Sequence, residues 1–345
     1  MKEPSQKTFF KNVRQFIRSL GMTGDIRLHA LPCGGNNRVF RLESDNESFL
    51  FKSYFQHIND PRDRLKTEYV FSQFLWDNGV RTIPQPIAKY VEQSWGLYEF
   101  IEGLSFSGEK VTKEHVLSAA DFFRSINQYR SNINARHLSA ASGACFSMGG
   151  HIACIEQRVE RVRKIAKNTE IGAQTQSFVQ NSLYPAWIQI KSSLEKKLQN
   201  KKCSEWSNNI SAKDRCLSPS DFGFHNAIKV KSGGVKFIDF EYAGWDDPAK
   251  MICDFFCQPE IPVPADTYTF FQQKVLEGFS NTDSILHRMT TLLPLYRIKW
   301  CCIMLNDFSS VGRQRRLFAK QDSHEERQRL QLQKVQNYFS QYLHI

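Results

Sequence analysis

Long apolar runs are missing from this chain. No stretch approaches the roughly 18 residues that read as a membrane helix, and the opening residues, Met1 to Lys7, hold nothing like the apolar core of a secretory leader. Both absences point to a cytoplasmic protein. Paired cysteine spacing is missing as well: the nine cysteines, an odd number, stand at positions 33, 145, 154, 203, 216, 253, 257, 301 and 302 without a CxxC pair. No zinc module is expected from that spacing, and the thiols are read as free and reduced. Cys253 and Cys257 would share a helix face, where two small buried hydrophobes are the simpler reading. Internal repeats, low-complexity tracts and a Pro/Gly-rich linker are absent too.

Acidic residues are the scarcer charge, 35 against 46 Lys and Arg, which leaves a formal net charge of +11. Such a balance suits an anionic partner: a nucleotide, a phosphorylated sugar or a nucleic acid. A nucleic-acid surface would interleave basic residues with exposed aromatics. The densest basic cluster, Arg313, Arg315 and Arg316, instead opens a C-terminal segment containing Phe318, Leu330, Leu332, Val335, Tyr338, Phe339 and Leu343. That spacing reads as a terminal amphipathic helix with a solvated basic face.

A chain of 345 residues is long enough for two lobes. The first hundred residues differ from the rest. After a helix-like opening (Phe9, Phe10, Val13, Phe16, Ile17, Leu20), apolar runs at 38–42 and 49–55 flank a turn-like acidic segment and predict antiparallel strands. One helix is expected from about Asp63 to Asp77. Beyond Gly103, helical spacing dominates in Val111–Tyr129, Gly150–Lys167, Ser177–Gln199, Pro264–Phe279 and Ile285–Phe308. The expected architecture is α+β, with a β-rich N-terminal lobe over 1–102 and a mainly helical C-terminal lobe over 103–345.

The most informative stretch is SPSDFGFHNA at 218–227, followed by two apolar-alternating runs around Ser232, Gly233 and Gly234. These runs predict a β-hairpin. A two-residue turn at Ser232 and Gly233 would pair Val230 with Val235 and Ile228 with Phe237, and would set Asn226 opposite Asp239. The hairpin thus delivers an amide and a carboxylate to one place, with Asp221 five residues before the amide. Phosphoryl transfer from ATP needs a carboxylate to orient the attacking hydroxyl and accept its proton, plus oxygen ligands for Mg²⁺. Asp221 is read as the base, and Asn226 and Asp239 as the metal ligands.

This segment resembles that of the aminoglycoside phosphotransferase and choline kinase superfamily, whose members carry HxDxxxxN and then an I-D-[FW]-[ED] motif. Ile238 to Glu241, with Tyr242, Ala243, Gly244, Asp247 and Pro248 beyond, are similar to its downstream pattern, and the helix containing Leu295 to Trp300 extends the likeness. The resemblance implies a two-lobed protein-kinase-like fold and a kinase acting on a small molecule. One departure is that Pro219 stands where the family has His. A catalytically inactive nucleotide-binding pseudokinase is the alternative, and a basic nucleic-acid-binding protein a more distant one.

A kinase-type site also needs a strand lysine held by a helix glutamate. Lys52 closes an apolar run, and in the next helix Glu68 falls in the middle of a stripe made by Leu65, Phe71, Ser72 and Leu75. A carboxylate placed there needs a partner, and Lys52 is the natural one. Upstream, Gly34, Gly35, Asn36 and Asn37 interrupt two strand-like runs and could let backbone N–H groups approach phosphates. The segment from Gly96 to Gly103 resembles the family hinge, which implies that backbone groups near Glu99 and Ile101 bind adenine.

Between Asp239 and Asp254 the sequence leaves no room for the activation segment of a protein kinase, so a small-molecule acceptor is expected. Tyr242, Trp245 and Asp246 lie close enough to the metal ligands in sequence to line its pocket. Asp254 could also contact the acceptor, although an internal ion pair is the simpler reading. A sugar, an amino alcohol or an aminoglycoside is compatible with the family, and the net positive charge does not favour the last.

Overall fold

The computed structural model describes residues 6–31, 35–106, 110–199, 208–231, 233–319 and 324–343. Helix α1 (Gln6–Ser19) precedes strands β1 (Arg27–Ala30), β2 (Arg38–Ser44) and β3 (Glu47–Ser53), helix α2 (Arg64–Asp77), and strands β4 (Pro86–Tyr90) and β5 (Trp95–Glu99). The five strands form one antiparallel sheet in the order β1-β2-β3-β5-β4. Alternation along β2 and β3 turns Phe40, Leu42, Phe49 and Phe51 inward, where they meet Phe9, Val13, Phe16 and Ile17 of α1, together with Trp95 and Leu97. That cluster is the core of the N-terminal lobe.

Helix α2 joins the two lobes. Asp63 caps it by accepting from Lys66 N at 2.9 Å, and its buried face carries Leu65, Glu68, Phe71, Ser72 and Leu75. Phe71 and Leu75 belong to the core of the helical lobe, with the Phe71 and Phe240 rings 5.6 Å apart. One helix face is therefore buried against both lobes, and this holds Glu68 in register with the sheet.

Strand β6 (Gly103–Ser105) leaves the N-terminal sheet and pairs with the hairpin of β8 (Ala227–Val230) and β9 (Val235–Phe237). The remaining elements are α3 (Lys113–Asn127), α4 (Met148–Val162), α5 (Glu170–Phe178), a π turn leading into α6 (Tyr184–Gln199), β7 (Cys216–Ser218), β10 (Gly244–Asp246), α7 (Pro248–Cys257), α8 (Tyr268–Leu276), α9 (Thr282–Met304), α10 (Ser310–Ala319) and α11 (His324–Tyr342). β7 and β10 pair antiparallel. Among the described residues no helix is long and apolar enough to cross a membrane.

Two sequence expectations are corrected here. The hairpin is one residue out of the expected register: Ala227 faces Phe237, Ile228 faces Lys236 and Lys229 faces Val235. Its loop is longer, with Val230 N–H donating to Gly234 O at 3.2 Å and both Gly233 and Gly234 at positive φ, which glycine adopts without strain. The shift turns Ala227, Val235 and Phe237 together into the core, while Lys236 reaches Glu99 at 3.1 Å and the Lys229 ammonium lies 5.2 Å from the Phe106 ring centre. Burial of three apolar side chains outweighs the loss of apolar-to-apolar facing across the ladder. The second correction concerns the C-terminal segment. It forms two helices, and the basic residues Arg315 and Arg316 of the first are packed against the N-terminal lobe, where Arg38 donates to Phe318 O at 2.8 Å.

Asp247 anchors the helical lobe. It caps α7 through Ala249 N at 2.9 Å, and it accepts two hydrogen bonds from Arg288 of α9, both 2.9 Å. Burial pushes its carboxyl up, but hydrogen bonds from His151 and Arg288 outweigh that and hold it down at about 2. A depressed carboxyl stabilises the fold above its unfolded value of about 4 and loses that contribution as pH falls toward its folded value. The contribution at pH 7 is about 2–3 kcal/mol, with roughly half gone by about pH 3. Urea midpoints of wild type and Asp247→Asn should therefore differ most near neutrality and converge on acidification. A gap that is constant over that range would remove the ion pair from the stability account.

Candidate active site

The lobes meet at Lys52. From the third strand its ammonium donates to both Glu68 oxygens, at 2.8 and 2.9 Å, and to Asp239 Oδ1 at 2.7 Å. Tyr54 adds a hydrogen bond to Glu68 at 2.8 Å and shares another with Tyr98 at 2.9 Å. Burial alone would lower the Lys52 ammonium, but Asp239 and Glu68 outweigh it and hold it well above its usual value. Burial pushes the Glu68 carboxyl up as well, to about 7, despite the lysine. Two carboxylates thus share one ammonium.

Asp239 sits at φ 69°, in the left-handed region that non-glycine residues seldom adopt, and Ser220, directly before Asp221, sits at φ 67°. Strain of this kind persists where the surrounding structure over-determines it. The Asp221 loop is held by Ser220 N–H donating to Ser218 Oγ at 3.0 Å and by Asn226 Nδ2 donating to the Asp221 carbonyl at 2.9 Å. In turn the Asn226 carbonyl accepts from Ile238 N at 3.0 Å, which brings Asp239 alongside the loop. The buried Pro219 needs no side-chain hydrogen bond in this arrangement, because its neighbours supply the loop's polar contacts.

His225 was missed by sequence reasoning. Its Nε2 lies 3.3 Å from Asp221 Oδ1, and its ring occupies the space that a Cβ at Gly223 would need. That glycine one position beyond Phe222, with a histidine two further on, was the available signal. Burial pushes the Asp221 carboxyl up, but the charge and hydrogen bond of His225, helped by Lys299 and Asn226, hold it below its ordinary value. Asp221 is thus an ionised acceptor whose side chain is 31% exposed, at the floor of the cleft.

Other expected residues are placed differently. Gly34 lies outside the described residues. Asn36 and Asn37 donate to the two oxygens of Glu241, each at 2.7 Å, and Asn36 also reaches the Tyr242 hydroxyl at 3.1 Å. Their side chains thus close the loop onto the other lobe. Glu99 spends its N–H on Gln85 O at 2.8 Å, whereas among the described residues no backbone hydrogen bond ties Ile101. Trp245 pairs with Leu217 in the β10–β7 ladder and donates to Ala135 O, and Asp246 is fully buried on Lys250. β10 thus packs Trp245, half-buried, against the helical core and buries Asp246. Asp254 likewise holds Lys299, at 2.7 Å, and the Trp300 indole at 3.0 Å.

The donor set tests whether a cation fits. Among the described residues no cluster of three His, Cys, Asp or Glu side chains could hold a metal by itself. Asn226 Oδ1 and Asp239 Oδ2 accept no hydrogen bond there, and both are hard oxygen donors. One carboxylate and one amide suit Mg²⁺, which takes few protein ligands and completes its shell with water and phosphate oxygens.

A β-rich lobe with a lysine–glutamate pair, set over a helical lobe carrying Asp221, Asn226 and Asp239, is the arrangement of a kinase-like fold. The chain belongs to the phosphotransferase enzyme family (APH), which it matches over residues 27–269. It is similar to solved structures of spectinomycin phosphotransferase in complex with ADP and spectinomycin (14% identity, 95% of this chain and 97% of that one, TM-score 0.62). It also resembles choline kinase LicA from Streptococcus pneumoniae (16% identity, 96% and 100%, TM-score 0.54) and an ethanolamine kinase from Plasmodium vivax (13% identity, 91% and 83%, TM-score 0.57). No curated protein matches the chain.

Proposed function

We propose that the protein is an ATP-dependent kinase that phosphorylates a hydroxyl of a small molecule. The observation that carries this reading is the 2.7 Å contact of Lys52 with Asp239 across the lobes, which joins the Lys52–Glu68 pair to the Asp221–Asn226 loop. In this reading Lys52 grips the α and β phosphates, with Glu68 and Tyr54 holding it in place. The loop of Gly34, Gly35, Asn36 and Asn37 covers the phosphates, and the backbone near Glu99 and Ile101 receives the adenine. Asn226 and Asp239 would hold Mg²⁺, which would supply positive charge beside the phosphates.

Asp221 orients the acceptor hydroxyl and takes its proton as the oxygen attacks phosphorus. Held ionised by His225, it is a ready acceptor at neutral pH. The nucleotide half is tested by thermal unfolding. Mg-ATP at about a hundred times its dissociation constant should stabilise the fold by about 2.7 kcal/mol, and ADP should also bind. An unfolding temperature that does not move in millimolar Mg-ATP or ADP would end this reading.

A further inference from the structure

Helix α10 carries positive charge to the mouth of the proposed nucleotide cleft. The Arg38 guanidinium stacks 4.4 Å from the Phe318 ring centre, and Phe318 meets Phe55 at 5.6 Å. This fixes the helix on the N-terminal lobe. Arg316, held by Asp307 at 3.0 Å, passes so close over Gly35 that a Cβ there would overlap its guanidinium. Across the gap, Tyr242 lies 5.3 Å from the Arg62 guanidinium and 5.9 Å from that of Arg64, measured to its ring centre.

Among the described residues Arg315 stands in this group without a counter-charge. Its electrostatic neighbours are the Tyr242 hydroxyl and three further cations, Arg316, Arg62 and Arg64. Its Nε is buried and makes no hydrogen bond, and among the described residues no carboxylate lies within ion-pair distance of it. The nearby acids are already engaged. Asp60 holds Arg62 and Arg64; Glu241 holds Arg64, Asn36 and Asn37; Asp307 is shared by Arg316 and Arg327. Among the described residues four guanidiniums thus take up these three carboxylates, and a half-buried arginine among like charges is costly unless an anion joins it. The planar fork of arginine suits phosphate or carboxylate oxygens. Tyr242 is three residues beyond Asp239 and is linked to the glycine loop by Asn36, so the missing negative charge belongs beside the phosphate-transfer centre.

We propose that Arg315, with Arg62, Arg64 and Arg316, forms an oxyanion site at the cleft mouth that binds a phosphate or carboxylate group. The group is carried either by an anionic hydroxyl compound acting as acceptor or by the nucleotide as its terminal phosphate. The proposal deepens the kinase reading and rests on it for the location of the nucleotide. An anionic acceptor would set this enzyme apart from kinases whose acceptors are cationic.

The test uses the full chain as wild type, Arg315→Gln and Arg315→Lys, titrated with inorganic phosphate in the presence of ADP, with ADP alone, and with a magnesium complex of a non-hydrolysable ATP analogue. If the acceptor brings the anion, phosphate binding weakens at least about tenfold in Arg315→Gln, the loss of one charge-assisted interaction. It is partly kept in Arg315→Lys, and both nucleotide affinities stay unchanged. If the nucleotide brings the anion, Arg315→Gln weakens the ATP analogue by a similar factor and leaves ADP alone. Wild-type affinities for all three ligands in Arg315→Gln overturn the site. The ligand-free Arg315→Gln protein should unfold at the wild-type temperature or above it, since a repelled charge has been removed. A drop of several degrees would mark a structural arginine and overturn the proposal too. Failure of the kinase reading is separately visible, as wild type that ignores ADP while phosphate binding still depends on Arg315.

Discussion

Asp221→Asn should lower turnover by about 10²–10⁴, the range for removing a general base, while binding of Mg-ATP stays within about threefold of wild type. Asparagine keeps the shape of the side chain and can still meet His225, so the substitution removes proton acceptance and little else. Asp239→Asn should behave differently. It removes charge from both Lys52, 2.7 Å away, and the proposed cation, so nucleotide binding should fall together with turnover. A screen of sugars, amino alcohols, aminoglycosides and phosphorylated sugars for ADP release above the background rate supplies the acceptor. An Asp221→Asn enzyme that turns that acceptor over at the wild-type rate would be fatal to the base assignment. If no acceptor emerges and both variants bind Mg-ATP alike, the inactive nucleotide-binding protein becomes the better description.

The second large effect is expected at Lys52 and Glu68. Lys52→Ala leaves Glu68 buried without its counter-charge, and breaking a buried pair in this way costs about 3–5 kcal/mol; Glu68→Ala leaves Lys52 on Asp239 and should cost less. The double variant removes both charges and should be much less destabilised than the sum of the single effects. Cancellation will be incomplete, because Lys52 also serves Asp239, and Glu68 also accepts from Tyr54. Catalytic efficiency with ATP should collapse in both single variants. Simple additivity in denaturant unfolding would show that the pair is not energetically coupled, whatever its 2.8 Å geometry.

Local pattern carried much of this protein. The run at 38–42 lies within β2 and that at 49–55 falls on β3 as far as Ser53, and the helix expected from Asp63 to Asp77 is α2 with Asp63 as its cap, because period-two and period-3.6 burial are written residue by residue. Glu68 could be paired with Lys52 from sequence, since a charge in the middle of an apolar stripe must find a partner. The hairpin was legible as a hairpin, but not its register. Pairing by hydrophobic facing took no account of β6 on the other side of β8, or of the core that claims Ala227, Val235 and Phe237 as a set.

The chain's own residues thus determined which segments are strands and helices, where Asp221, Asn226 and Asp239 cluster along the sequence, and that an excess of positive charge must be accommodated somewhere. Only tertiary structure decided where that charge goes. Arg315 and Arg316 read as a solvated helix face, because helical periodicity describes one element in isolation and cannot state what packs on it. Folding brings Phe318 onto Phe55 and onto Arg38, the latter 280 residues away along the chain, and this docking carries both arginines to Gly35 and Tyr242. The same limit applied to the surroundings of Trp245 and Asp246: nearness in sequence to Asp239 said nothing of the β10–β7 ladder that pairs Trp245 with Leu217, or of the burial of Asp246 on Lys250. His225 shows it at shorter range, since an imidazole four residues after Asp221 meets that carboxylate only because the loop between them closes over Gly223. Contacts between distant segments depend on how whole faces pack, and no local pattern encodes that.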